Sequence, residues 1–507
     1  MKQRTLPLAW IVLLALVAFR APLPQASGVL DPDYYWHVAY GELILDTLRL
    51  PTLDTWSWTM NGHPYTLTQW AGELVMGLAH RAGGELGTGF LSAALAVATI
   101  AACYRTVRLY LHSHWLSLSL SIVCNSLLLQ LPSRPHQWTH LGLALLNLCV
   151  LSYLATRDRR WLYPIPLLFA AWVNLHGGYA FGLAYFGLFI ITVSIDAWLV
   201  ERKSLVGGID AALVLVWTTS LLSTLLNPYG AGAWRYALEI ASLKTSTSGV
   251  IAEWVAPTIQ SETGLLLFGV SIAAFAGMVL CRTRPTPGTV LRLAILLALG
   301  WTAVRMSVMV LILMVPLLAA ALASTPFYER LAGMSAHYDA PRSRLWAGLF
   351  LIAIAFGAYW MGRIDKTVDQ RNARYFPVAE AQFLVEHGLD RLRVLNTPES
   401  GGYLIRRHGM RVAIDTRLDL YGDRAYFAYI FASQGLTGWQ DYISQLDPEV
   451  IIANQQVALR ELLVQAGTYR PIFEGEAHTV LLRHDLSPHL PSVPLRNVSA
   501  IALQNLR

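Results

Sequence analysis

The chain has 507 residues, of which 55% are hydrophobic and only 14% charged, well below the roughly 25% charged of soluble domains. That composition excludes an ordinary soluble enzyme. The formal charge of +6 comes mainly from arginines clustered in short stretches between apolar runs, the pattern of topology-setting loops, so nucleic acid is not the expected partner.

A helix needs about 20 apolar residues to cross the hydrocarbon core. Such runs lie near residues 5–25, 86–104, 115–131, 138–155, 161–175, 178–200, 209–226, 264–281, 289–304, 306–323 and 344–361, which predicts about eleven transmembrane helices. The first run also reads as a signal peptide, with a cleavage stretch at Pro24-Gln25-Ala26-Ser27; on either reading residue 31 emerges outside. Cys103, Cys124, Cys149 and Cys281 fall within or at the end of these runs, so neither a disulfide framework nor a cysteine zinc site is indicated.

Charge parity orients the helices. With Lys2 and Arg4 inside, the alternate connections carry Arg105 and Arg108, then Arg157, Arg159 and Arg160, then Arg202 and Lys203, then Arg282 and Arg284, then Arg330, Arg342 and Arg344. All are basic, as the positive-inside rule demands. The opposite set is extracytoplasmic: a first loop over 31–85, turns at 133–137 and 174–178, a loop over 227–263, the region of Arg305, and everything after about 362. Acids, histidines and amides at membrane level are functional candidates by default, and here they share this face.

The first outer loop opens Leu30-Asp31-Pro32-Asp33-Tyr34-Tyr35-Trp36-His37 and continues to Gly41-Glu42. Asp31 is predicted as a helix N-cap, with Pro32 and Asp33 in the first turn. Two carboxylates, with His37 one turn beyond Asp33, suit either binding of a divalent cation or removal of a proton from a hydroxyl. Residues 55–60 and 63–68 flank Asn61-Gly62, a hairpin signal, and an apolar helix is expected to start near Gln69 to Glu73. The tryptophans and tyrosines of this loop suit an interfacial belt or a surface that stacks on sugar rings.

These residues resemble the GT-C superfamily of membrane glycosyltransferases, which place an acidic motif after the first span, in a long outer loop, and often end in a soluble domain. Asp31-Pro32 and Trp36-His37 resemble the Asp-Pro-Trp region of oligosaccharyltransferase catalytic subunits, where the acid binds a metal, and also the acidic first loops of bacterial enzymes that use polyprenyl-phosphate sugars. The chain is similar almost end to end to a group of bacterial membrane proteins combining the segment Asp31 to Gly41 with Asn174 to Gly178, Asn227 to Gly230, and Gly401 to Leu404 followed by Asp415 and Arg417. The peptide-binding WWDYG sequence and the second acidic motif of oligosaccharyltransferases are absent, which disfavours transfer of a whole oligosaccharide to asparagine. The resemblance implies a bacterial inner-membrane, multi-pass protein with a cytoplasmic N-terminus and a periplasmic C-terminal domain.

Nucleotide sugars are cytoplasmic, so a transferase working outside needs a donor carried by lipid: a polyprenyl-phosphate sugar, with a glycan, lipid or protein hydroxyl as acceptor and membrane lipids as surroundings. The departing phosphate calls for cationic or metal stabilisation; Arg305 is the first choice, with Arg134 and Arg235 beside it. Asp33 is the expected general base of an inverting displacement, with Asp31 either its alternative or the ligand of a divalent cation, Mg or Mn. His37, Glu42 and Glu73 are candidates to orient substrate, and Glu239 and Glu253 to complete the site. Asn174 and His176, before paired glycines, suit a tight turn that approaches a ligand, and Arg134-Pro135-His136-Gln137 offers a cation and an imidazole.

After the last span the pattern changes. Short buried strands are predicted at 393–396, 411–414 and 449–453 and a hairpin at 469–473 and 479–482, alternating with helices near 377–387, 423–433, 438–446 and 455–466, which is an extracytoplasmic α/β domain over 362–485. Residues 1–361 form the transmembrane GT-C-like unit, and 486–507 a loosely ordered tail. Asp415 to Asp419 suits a ligand site at a strand end or a salt-bridged loop. Two other function classes stay open: a transporter or flippase of a lipid-linked or polar substrate, and a non-catalytic membrane assembly factor.

Overall fold

The computed structural model describes residues 8–23, 31–204, 207–243, 251–339, 372–487 and 489–495. The run expected to span near 344–361 lies outside them, as do the cleavage stretch at 24–27 and the final residues of the tail. Each of the other apolar runs forms a helix. Five are long and apolar enough, by length and composition, to cross a membrane: Trp70–Val107, Gln137–Thr156, Tyr179–Leu199, Glu262–Leu280 and Val304–Ala323. Shorter apolar helices are Leu8–Arg20, His114–Cys124, Pro164–Leu175, Ala211–Ser223 and Pro287–Gly300. Their buried leucines, valines and aromatics join in one apolar core.

Connections of one predicted set contact members of that set: Arg157 and Tyr153 bond Asp210, Thr286 bonds Asp196, and Ser113 meets Ser335. The connections carrying Asp31, Arg134, His176 and Glu253 meet one another instead, together with Arg305 (below).

The first outer loop builds the scaffold for that second set. Asp31 is the N-cap of the helix Pro32–Thr47, its Oδ1 accepting the Asp33 N–H at 2.9 Å, as its sequence predicts. This helix lies directly on the first part of Trp70–Val107, whose helical geometry breaks at Gly83 and Gly84. The approach is so close that a Cβ on Gly41 would sit 2.1 Å from the Glu73 carbonyl, and one on Gly77 would sit 2.6 Å from the Gly41 carbonyl carbon.

The Asn61-Gly62 turn forms, but not as a two-stranded hairpin. A single bridge joins Leu53 to Pro64, and residues 56–58 pair with Val412 instead, through Trp58 N–H to the Val412 carbonyl and Val412 N–H to the Trp56 carbonyl. The expected strand at 411–414 is correspondingly reduced to bridges between Val412 and both Ser57 and Val394. Local alternation of side chains does not reveal which partner completes an edge.

The C-terminal segment carries a four-stranded sheet, β1 (Val394–Leu395), β2 (Val450–Asn454), β3 (Tyr469–Glu474) and β4 (His478–Arg483), in the order β1-β2-β4-β3. β1 and β2 are parallel and the other pairs antiparallel. Helices Val378–Glu386, Leu418–Ser433, Trp439–Leu446 and Ala458–Gln465 fall near their expected places. One helix, Pro398–His408, was not expected; it covers Gly401 to Leu404, with Thr397 as N-cap accepting from Ser400 N–H and Pro398 in its first turn. Leu486, Ser487 and Leu490 are held by Arg470, which donates to their carbonyls.

This segment shares its cores with the first loop. Tyr34, Tyr35 and Val38 are buried with Phe376, Tyr403, Leu404 and Val450, while Trp36, Tyr40 and Tyr65 are buried with Ile414, Tyr421 and Tyr426. Arg417 locks the two together. It is fully buried, pairs with Asp415 at 2.6 Å and Asp54 at 2.7 Å, donates to the Tyr40 hydroxyl, and is surrounded by the rings of Tyr40, Trp56 and Tyr65. Of the two readings of Asp415 to Asp419, the Asp415–Arg417 part is the salt-bridged one.

Candidate active site

The centre of the site is Arg134. The Ser133-Arg134-Pro135 turn leads into Gln137–Thr156, with the Arg134 carbonyl accepting the Gln137 N–H, which aims the guanidinium at the start of the Pro32–Thr47 helix. Its Nη2 lies 2.6 Å from Asp31 Oδ1, and its Nη1 lies 3.1 Å from Asp33 Oδ2 and 2.6 Å from Glu253 Oε1. Burial works against its charge, but the carboxylates outweigh that and hold it more firmly protonated than a free arginine.

The two acids differ. Asp31 is pushed up to about 6, first by burial and then by the Asp33 charge, against the pull of Arg134. Its bonds from Arg134 and from the Asp33 N–H both fall on Oδ1, so among the described residues Oδ2 is not engaged. Asp33 is held on both oxygens: Oδ2 by Arg134, and Oδ1 by Trp36 Nε1 at 3.3 Å and by the Thr416 hydroxyl. Trp36 Nε1 also donates to Thr416 Oγ1 at 3.0 Å. The C-terminal segment thus reaches the acids directly, through Thr416 of the Asp415 to Asp419 segment.

Glu253, on a short 3₁₀ turn Ala252–Trp254, extends the network. Its Oε2 lies 3.5 Å from Arg305 Nη1, so one carboxylate bridges two guanidinium groups. Their pull outweighs the effect of burial and holds it below the usual glutamate range. Arg305 also lies over the Trp254 ring and 3.2 Å from His176 Nε2.

His176 caps Pro164–Leu175 in an extended conformation. Its Nδ1 accepts the Gly178 N–H at 3.1 Å and lies 2.8 Å from Thr139 Oγ1. Gly178 serves that packing, since a Cβ on it would fall 2.1 Å from Thr139 Oγ1, whereas one on Gly177 would meet nothing within 4 Å. Burial, then the neighbouring Arg305, holds His176 neutral. His136 sits 6.5 Å from the His176 ring and 5.3 Å from that of His140; burial and the surrounding imidazoles and arginines hold it neutral too. His140 was missed in the sequence, although it stands one helical turn after His136.

His37 is buried against Glu73, Nδ1 to Oε1 3.0 Å, with the Trp36 ring 3.7 Å away. Burial and the charges of Arg134 and Arg305 depress its basicity, so it belongs to the same electrostatic neighbourhood. Three expected residues are engaged elsewhere. Glu42 pairs with His80 and Arg406. Asn174 bonds Trp70, Ala170 and Leu226. Arg235 forms an exposed pair with Glu239, one turn along its own helix.

The Arg134 guanidinium takes up the place beside the two aspartates where the expected divalent cation would be held. The Arg134 guanidinium lies in contact with both aspartates, and among the described residues no group of three His, Cys, Asp or Glu side chains is close enough to hold a metal.

No protein-family model matches the chain, and no curated protein matches it significantly. Solved structures do. The apo oligosaccharyltransferase of Archaeoglobus fulgidus aligns with a TM-score of 0.50 at 11% identity, covering 88% of this chain and 69% of that one. The same enzyme tethered to an acceptor peptide containing the NVT sequon aligns with a TM-score of 0.50 at 12% identity, covering 96% and 76%. Its complex with Zn and sulfate aligns with a TM-score of 0.46. The fold of this chain is therefore similar to that of an archaeal oligosaccharyltransferase, a GT-C enzyme, in agreement with the resemblance carried by its sequence.

Proposed function

We propose that this protein is a membrane glycosyltransferase that moves a sugar from a polyprenyl-phosphate donor to an acceptor hydroxyl on the extracytoplasmic side of the membrane, with inversion. The observation that carries this reading is the contact between an acid pair, Asp31 and Asp33, and a cationic pair, Arg134 and Arg305, through Glu253. Glycosyl transfer from a phosphate ester needs both: a base for the attacking hydroxyl and cations for the departing phosphate. The likeness in fold to an oligosaccharyltransferase supports the same class of reaction.

The base is assigned to Asp31 rather than to Asp33, the first expectation from sequence. A carboxyl near pKa 6 with an unengaged oxygen is better suited to take a proton at neutral pH than one whose two oxygens are both held. In this scheme the acceptor hydroxyl gives its proton to Asp31 as its oxygen attacks the anomeric carbon. The bond from that carbon to the donor's phosphate oxygen breaks, and the electron pair leaves on the phosphate, which Arg305 and Arg134 receive. Asp33, fixed by Arg134, Trp36 and Thr416, orients the acceptor. No step is routed through a metal.

The test uses the full chain in lipid nanodiscs with short-chain polyprenyl-phosphate sugars and envelope glycan or lipid fractions as acceptors. Release of polyprenyl phosphate together with a new glycosidic bond is expected, and nucleotide sugars are expected to be inert. Movement of donor across the bilayer without bond cleavage would replace this reading with transport.

A further inference from the structure

The Arg134–Arg305 pair is already occupied by an anion of the protein itself, Glu253. Its two carboxylate oxygens are divided between the guanidinium groups, Oε1 at 2.6 Å from Arg134 Nη1 and Oε2 at 3.5 Å from Arg305 Nη1. A phosphate group spans two cations in the same way, oxygen by oxygen.

A second observation concerns the far side of Arg305. His176 Nδ1 faces the backbone N–H of Gly178, Nε2 faces the Arg305 guanidinium, and a neutral imidazole has a single acceptor nitrogen. Nε2 lies 3.2 Å from Arg305 Nη2. One of these two N–H donors therefore lacks a lone pair on His176 to meet, a shortfall that an anion seated beside Arg305 relieves. The buried Nε of Arg134 likewise has no hydrogen-bond partner among the described residues. The local donors thus outnumber what Glu253 satisfies.

We propose that Glu253 is a stand-in for the phosphate of an incoming phosphate ester, and that the ester binds by exchange with the Glu253 carboxylate, seating its oxygens on Arg134 and Arg305. The proposal rests on the donor-site reading above and deepens it. The exchange involves rotation of the glutamate side chain, which is 39% exposed, away from the two guanidinium groups. Before exchange, Glu253 keeps two close guanidinium groups compensated; after it, the phosphate does so, and the displaced carboxylate is left in water. The carboxylate therefore competes with every phosphate ligand of this seat, so its removal strengthens binding where loss of a true ligand-holding residue would weaken it.

Equilibrium binding of inorganic phosphate and of farnesyl phosphate to the full chain in nanodiscs tests this, with Glu253→Gln compared against Glu262→Gln, an exposed acid whose loss changes the net charge equally. Glu253→Gln is expected to bind farnesyl phosphate about tenfold more tightly, equivalent to about 1.4 kcal/mol, while Glu262→Gln binds as wild type does. Arg305→Gln is expected to lose the binding, with Arg305→Lys retaining part of it. A gain for both phosphates means that the seat reads the phosphate alone; a gain for farnesyl phosphate only means that it reads a lipid headgroup, and either supports the proposal. Unchanged or weaker binding in Glu253→Gln, or an equal gain in Glu262→Gln, overturns it. If Glu253→Gln binds more tightly but no polyprenyl-phosphate sugar is ever cleaved, the seat stands and the transferase reading falls.

Discussion

Replacing Arg417 by methionine isolates the charge that joins the first loop to the C-terminal segment. Methionine keeps most of the volume among the Tyr40, Trp56 and Tyr65 rings, so little cavity forms. What is lost is the cation between two fully buried carboxylates, Asp54 and Asp415. Asp54 keeps its bonds from the Ser57 N–H and hydroxyl, but Asp415 keeps only the Arg417 N–H and the Tyr421 hydroxyl among the described residues. Breaking one side of a buried ion pair costs about 3–5 kcal/mol. For a cooperative unit of roughly 150–250 residues this is a fall of about 10 °C in Tm. Thermal unfolding followed by tryptophan fluorescence in nanodiscs measures it, with limited proteolysis reporting whether the C-terminal segment separates first. The double variant Arg417→Met with Asp415→Asn should recover part of the loss, because one uncompensated carboxylate is removed. A Tm within about 2 °C of wild type for the single variant would refute the idea that this pair locks the two segments.

Further outcomes are expected. The rate of transfer should rise with pH through about 6 and level off above, because a base must be ionised and burial raises Asp31 to that value; a profile flat from pH 4 to 8 would remove Asp31 from that role. Thr416→Val removes a hydroxyl that bonds Asp33 and accepts from Trp36. A bond to a charged group is worth roughly 1.5–3 kcal/mol, so transfer, measured well below the variant's Tm, should fall about tenfold or more; equal activity would show that Asp33 does not depend on the C-terminal segment. Burial raises Glu380 to about 7, so its protonated form favours the fold. That contribution is complete below the unfolded value near 4.5 and is lost as pH rises through about 7; Glu380→Gln should flatten the dependence of Tm on pH in that window.

The helical framework was legible because apolar runs of membrane length and short basic connections are local signals, as were Asp31 as N-cap and Pro32 in the first turn. That the connections carrying Asp31, Arg134, His176 and Glu253 share one set was legible from charge parity. The contacts themselves were not. Arg134 meets Asp31 from a turn more than a hundred residues later, and Thr416 meets Asp33 from 383 residues away, distances over which pattern carries no information. Two omissions had a local signal: Thr397-Pro398 marks the start of the Pro398–His408 helix, and His136 and His140 share a helical face. Asn174, Glu42 and Arg235 illustrate the converse, since a polar residue in a candidate connection still finds ordinary structural partners.

The most direct measurement is the single-turnover rate of sugar transfer from a polyprenyl-phosphate donor by the full chain carrying Asp31→Asn or Asp33→Asn, each isosteric with the residue it replaces. Loss of a positioned base removes about 10²–10⁴-fold in rate. The proposed mechanism predicts a fall of that size for Asp31→Asn with donor binding retained, a smaller fall for Asp33→Asn, and disappearance of the limb near pH 6 only in the former. Full activity in both variants would contradict it.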